Sequence, residues 1–186
     1  ALAGPSGSGK TALLSLLAGL MPATRGEIAI GGVPLTEHTA ATLRQRTAWM
    51  GQKPHVFAGS VEANVALGRA DIGAPEVAEA MRFAALDDVA QAHPGTALGE
   101  GGSGLSGGEA VRLALARVAV HPRADLILAD EPTAHLDTAT AARVADALVA
   151  LARGRTLIVS THDPVLAARM DRTVSLGSEP LVEKAA

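Results

Sequence analysis

Eight residues near the start of the chain, Gly4-Pro5-Ser6-Gly7-Ser8-Gly9-Lys10-Thr11, fit the spacing G-x-x-x-x-G-K-[ST]. Glycines at these places let backbone N–H groups turn inward around phosphate oxygens, and a helix opening directly behind them adds favourable partial charge. A lysine at the seventh place can reach the β- and γ-phosphates of a nucleoside triphosphate, and the Thr11 hydroxyl can ligate Mg²⁺. A second candidate is Leu126-Ile127-Leu128-Ala129-Asp130-Glu131, an apolar run that ends in two carboxylates. Side chains alternate along a strand, so these adjacent acids serve different tasks. Asp130 suits a Mg²⁺ shell, and Glu131 suits polarising a water in line with the γ-phosphate. The bland readings are a glycine-rich turn ahead of a core helix and a solvated strand end. A phosphate loop alone leaves kinases, GTPases, helicases and transport ATPases open.

The elements that must position these groups are legible in outline. Apolar or β-rich runs predict strands at Glu27–Ile30, Thr47–Met50, Leu126–Ala129, Thr156–Ser160 and Thr173–Leu176. Helical patterns are expected over Thr11–Leu20, Pro75–Leu86, Glu109–Val120 and Ala139–Ala152, and Asp163-Pro164 reads as an N-cap and first-turn proline opening a helix to Met170. Strands alternating with helices predict an α/β fold with a mostly parallel sheet. The helix-rich stretch from about 60 to 120 reads as a lobe inserted into it. Only Ala1-Leu2-Ala3 precede the glycine loop, where a buried strand normally stands. The expectation is therefore a single domain, 1–186, with its N-terminal edge strands missing; its core covers about 1–53 and 122–178, and the helical lobe about 54–121.

Composition narrows the function classes. Of 186 residues 48% are apolar, enough for a real core. The net charge of −3 advertises no polyanion-binding face, and Trp49, Phe57 and Phe83 are too few for a row of base-stacking aromatics, so no nucleic acid is expected as a partner. There is no cysteine, hence no disulfide and no thiolate metal site. No run of about 18 apolar residues is present that would itself cross a membrane.

Leu105-Ser106-Gly107-Gly108-Glu109, between the two candidates, resembles the LSGGQ signature of ABC ATPases, and the resemblance extends over essentially the whole chain. It implies a P-loop NTPase fold that binds and hydrolyses ATP with Mg²⁺. Gln52 matches the Q-loop glutamine, close to both metal and attacking water; Ala134-His135-Leu136-Asp137 matches the D-loop, and His162 the switch histidine. By the resemblance, His162 contacts the γ-phosphate and holds the water with Glu131, while Ser106, Gly107, Gly108 and Glu109 meet an ATP held by a second ABC ATPase domain. The remaining histidines, His38, His55, His93, His121 and His135, read as surface or loop residues. The family has Gln where this chain has Glu109. Ser106-x-x-Glu109 is also a capping box, which either residue completes; the carboxylate is expected to stay in the box.

Gln52 to Val65, Thr42 to Met50, and Thr96 to Gly102 with Glu100 in its acidic place, resemble segments of ABC exporters that face transmembrane helices. Phe57 would be a contact there, or plain lobe core. This implies a transmembrane domain upstream in the same polypeptide and a place on the cytoplasmic face of a bacterial inner membrane; Glu109 in the signature, beside a fully equipped site of the chain's own, is an asymmetry that suits a heterodimeric partner. Residues 132–137 and 161–172 resemble the CydD-type subunit of the heterodimeric thiol exporter, which moves cysteine or glutathione to the periplasm for cytochrome bd assembly. The alternative is a soluble ABC-type ATPase of translation-factor or DNA-repair type. A silent regulatory cassette is disfavoured by Lys10, Asp130, Glu131 and His162 standing together.

Overall fold

The computed structural model describes residues 1–94, 98–99 and 104–177. Leu126–Asp130 forms strand β5, buried at every position, as a strand covered on both faces must be. Among the described residues it lies inside a five-stranded sheet with β1 (Leu2–Ala3), β4 (Thr47–Met50), β6 (Thr156–Ser160) and β7 (Val174–Ser175), in the order β4-β5-β6-β1-β7. Every pairing in that sheet is parallel. Alternation along β5 sorts its side chains between two apolar layers. Leu126 and Leu128 pack with Leu2, Leu14 and Ala18 on one face; Ile127 and Ala129 join the larger cluster on the other. Each such leucine contributes about 1.5–3 kcal/mol by leaving water.

Helix α1 (Lys10–Leu17) covers the first face. The second is covered by α6 (Gly107–Ala119) and α7 (Thr138–Leu151), whose buried residues belong to the larger cluster. Before α6 the chain forms α3 (Val61–Ala66), α4 (Ala74–Phe83) and α5 (Asp87–Ala92), with Val61, Val65, Val77 and Val89 in that same cluster.

Several boundaries differ from the sequence expectation. Helix α1 ends at Leu17 rather than running to Leu20, because Gly19 turns left-handed at φ 65°. Its N–H bonds the Leu16 carbonyl at 3.0 Å while the Leu20 N–H bonds that of Ser15 at 3.0 Å, a Schellman closure. Helix α8 is only Pro164–Ala167; tighter i→i+3 bonds, Arg169 to Leu166 and Met170 to Ala167, finish the turn. Of Glu27–Ile30 only Ala29–Ile30 is a strand, β2, and it pairs antiparallel with β3 (Val33–Pro34) away from the main sheet. Helix α2 (Glu37–Arg44), capped by the Thr36 and Thr39 side chains, has no counterpart in the expectation, nor do α3 and α5.

Candidate active site

The phosphate loop leaves β1 and enters α1, with Gly9 at the N-cap in a left-handed conformation, φ 91°. Gly4 allows a close approach instead: a Cβ there would sit 2.6 Å from the Leu176 carbonyl oxygen and 2.7 Å from Ser8 Oγ. Lys10 is buried, and its ammonium donates to the Gly4 and Pro5 carbonyls at 2.8 and 3.1 Å. The lysine is thus folded back along the loop that it serves.

Register brings the second group of residues to the same place. Asp130 lies opposite Ser160 across β5 and β6, so the ends of three parallel strands converge on one side, where open α/β sheets bind ligands. Thr11 donates from its hydroxyl to Asp130 Oδ2 at 2.8 Å, and the fully buried Ser160 hydroxyl donates to Oδ1. Asp130 is 2% exposed and is fixed from both sides. Ser160 also accepts from the Glu131 N–H, at Oγ (3.2 Å) and at its carbonyl (3.0 Å). Sequence reasoning missed this serine; its only signal was its place at the end of an apolar run.

Glu131 sits at φ 48°, a conformation that costs a non-glycine residue of order 1 kcal/mol or more. The two bonds that its N–H donates to Ser160 hold it there, together with its own Oε2, which accepts from the His162 N–H at 3.1 Å. Its Oε1 is 3.2 Å from His162 Nε2. Lys10 Nζ is also 3.2 Å from Nε2, and that nitrogen cannot donate to Glu131 while accepting from lysine. Gln52, just past β4, lines the same cleft of about 1240 Å³ as Lys10, Thr11, Asp130, Glu131 and His162. Asp137 caps α7, accepting from the Thr140 N–H at 3.0 Å, and Asp163 caps α8, accepting from Val165 at 2.8 Å. Hydrogen bonds from Thr140 hold the Asp137 carboxyl below its ordinary range.

Ser106, Gly107, Gly108 and Glu109 are not among the residues lining this cleft. They form the start of α6, and the capping box expected there is present. Glu109 Oε2 accepts from the Ser106 N–H at 2.7 Å, and Ser106 Oγ accepts from the Glu109 N–H at 3.3 Å. The backbone bond from Ser106 holds the Glu109 carboxyl below its ordinary range. Glu100 lies outside the described residues. Of the other histidines, His38 and His55 are exposed, and His38 stands in α2 rather than a loop. His121 is partly buried, and that burial lowers its pKa.

The family described as ABC transporter matches residues 1–134. This chain belongs to it. Its curated relatives include the mycobactin import ATP-binding/permease protein IrtB of Mycolicibacterium thermoresistibile, 38% identical over all of this chain. Another is the ATP-dependent lipid A-core flippase of Paraburkholderia xenovorans, 40% identical over 98% of the chain. The chain spans about a third of the length of these relatives (32% and 31%). Among solved structures, a bacterial Atm1-family ABC exporter with ATP bound superposes with a TM-score of 0.85 at 33% identity, over 95% of this chain and 31% of that one. The dimeric post-hydrolysis state of an ATP-binding cassette with ADP and Pi bound superposes with a TM-score of 0.78 at 27% identity, over 94% and 78% of the two chains. The chain is an exporter-type ATP-binding domain of the ABC transporter family, an ATPase with the P-loop NTPase fold.

Proposed function

We propose that this domain powers transport across a membrane by closing on a second ABC ATPase domain around ATP and reopening after hydrolysis. The observation that carries this reading is the convergence of Lys10, the Thr11–Asp130 pair and the Glu131–His162 pair at one end of three parallel strands. Glu131 takes the proton of an attacking water, and His162, bonded to it through backbone and ring, orients the carboxylate. Lys10 swings from the loop carbonyls to the β- and γ-phosphates. The Thr11 hydroxyl and Asp130 carboxylate are hard oxygen donors in contact. Among the described residues no cluster of three or more His, Cys, Asp or Glu could hold a metal unaided. That set fits Mg²⁺, which takes few protein ligands and completes its shell from phosphate and water; bound there, it would neutralise developing phosphate charge. Gln52, which lines the same cleft, would border both the metal and the water when they are bound. Separation of Ser106–Glu109 from the cleft supports their service to the partner's nucleotide. Division into a core, 1–53 and 122–178, and a helical lobe, 54–121, is supported by the packing of α3, α4 and α6 on one another.

The named relatives are permease, flippase and exporter proteins, which supports transport over the soluble alternative. It also supports a transmembrane domain in the same polypeptide and a place on the cytoplasmic face of a bacterial inner membrane. The cargo reading, cysteine or glutathione with a heterodimeric partner, rests on the sequences of 132–137 and 161–172. Glu131→Gln in the full polypeptide should leave ATP binding intact and lower phosphate release by about 10²–10⁴-fold; wild-type turnover would refute the role. Labelled cysteine and glutathione offered to inverted vesicles with ATP test the cargo separately. No uptake beside normal ATP hydrolysis would refute the thiol reading alone.

A further inference from the structure

Phe57 is 49% exposed on the segment between β4 and α3, which rules out the plain core role. A half-exposed aromatic on an irregular segment is ordinarily free to move, yet this one is held at several points. Val56 and Val61 on either side are buried. Asn64, 2% exposed, spends its whole amide on the segment: Oδ1 accepts from the Phe57 N–H and from Arg117, while Nδ2 donates to the Phe57 and Ser60 carbonyls, all four at 2.9 Å. From the last turn of α6, Arg117 donates through Nε to the Asn64 carbonyl at 2.8 Å and through Nη1 to the His55 carbonyl at 2.6 Å. Its guanidinium lies 5.7 Å from the Phe57 ring centroid, and His55 stands edge-on to that ring at 4.7 Å.

Burial and the nearby Arg69 push the Arg117 pKa down to about 10, so the group is still cationic at neutral pH. Its bonding partners among the described residues are neutral oxygens and an aromatic face. Half-burying a cation against such partners is costly compared with an apolar side chain of similar length. What the planar fork gives in return is three fixed points, one on the His55 carbonyl and two on Asn64, which itself holds the segment. The same helix begins at Ser106, eleven residues and about 16 Å away along a rigid rod.

We propose that Arg117 is a positioning residue that joins segment 55–60 to the signature helix α6 as one rigid body, so that occupancy at the Ser106 end displaces Phe57. This rests on the reading that Ser106–Glu109 meet a nucleotide held by the partner domain. The test is amide hydrogen exchange in the full polypeptide with its partner, with and without the non-hydrolysable analogue adenylyl imidodiphosphate. In the wild type the analogue should slow exchange by about tenfold both at 104–110 and at 55–60. Arg117→Lys, which keeps charge without the fork, should retain the response at 104–110 and lose it at 55–60. Phe57→Ala should retain both, because the clamp runs through backbone carbonyls and Asn64. A response at 104–110 with none at 55–60 in the wild type overturns the proposal and needs no variant that might fold poorly. Arg117→Lys with an unchanged response at 55–60 overturns it too. No wild-type response at 104–110 instead refutes the signature reading, and the proposal falls with it.

Discussion

Glu109 shows how one side chain can satisfy a helix and still differ from its family. The Ser106 N–H at 2.7 Å stabilises its ionised form, and a helix N-terminus favours negative charge. Because the carboxyl is held below its ordinary value in the folded chain, its contribution is present above the ordinary carboxylate range and is lost as pH falls through the lower, folded value. Wild type should therefore exceed Glu109→Gln in stability by about 0.5 kcal/mol near neutral pH, with the difference closing below about pH 4. Melting curves of both proteins from pH 7 to 3 check this; a constant difference would show that the charge plays no part. ATP turnover of Glu109→Gln should differ from wild type by less than about tenfold. Lys10, Thr11, Asp130, Glu131 and His162 were legible because their types and spacing form a set. Ser160 was not, because its work arises only from its neighbour across the sheet, and no local pattern marks a serine at a strand end.

At the level of elements, strands β4, β5 and β6 were readable almost residue by residue, since a buried parallel strand is an unbroken apolar run. Helix ends were less so. The apolar stretch after Lys10 continues through Leu20, but the turn is decided by Gly19, whose left-handed backbone closes α1 three residues earlier. Helix α3 escaped notice because six residues carry too little periodicity; its start is written in Ser60, whose Oγ accepts from the Ala63 N–H at 3.1 Å. Ser60→Ala should lower unfolding free energy by about 1 kcal/mol, read as a shift in urea midpoint without change of slope. Since Ser60 also gives its carbonyl to Asn64, the substitution leaves that bond in place. Any larger loss would mean the serine hydroxyl supports more than its helix.

At the scale of the molecule, the two halves of the proposed chemistry stand apart: a cleft at the strand ends and a capped helix start outside it. The overall sheet and the helix-rich stretch were legible from the alternation of apolar runs. The β2–β3 hairpin lying away from the sheet was not, because two-residue strands bury nothing that patterning can detect. Separation of the halves predicts separable defects. Lys10→Ala should abolish photolabelling of this chain by azido-ATP, whereas Ser106→Arg should leave that labelling within about twofold and stop turnover of the assembled protein at least tenfold. Loss of labelling in Ser106→Arg would place the signature in this chain's own cleft. The pairing of Asp130 with Ser160 has a further consequence, for insertions and deletions rather than substitutions. Neighbouring residues of a strand point to opposite faces, so removing one residue inside β5 would turn Asp130 away from Thr11 and put Glu131, a longer carboxylate, in its place. Any apolar residue of similar volume can replace Ile127 or Leu128 at modest cost, but the number of residues between Leu126 and Asp130 is fixed. The count, more than the composition, is what this strand contributes to the placement of Asp130.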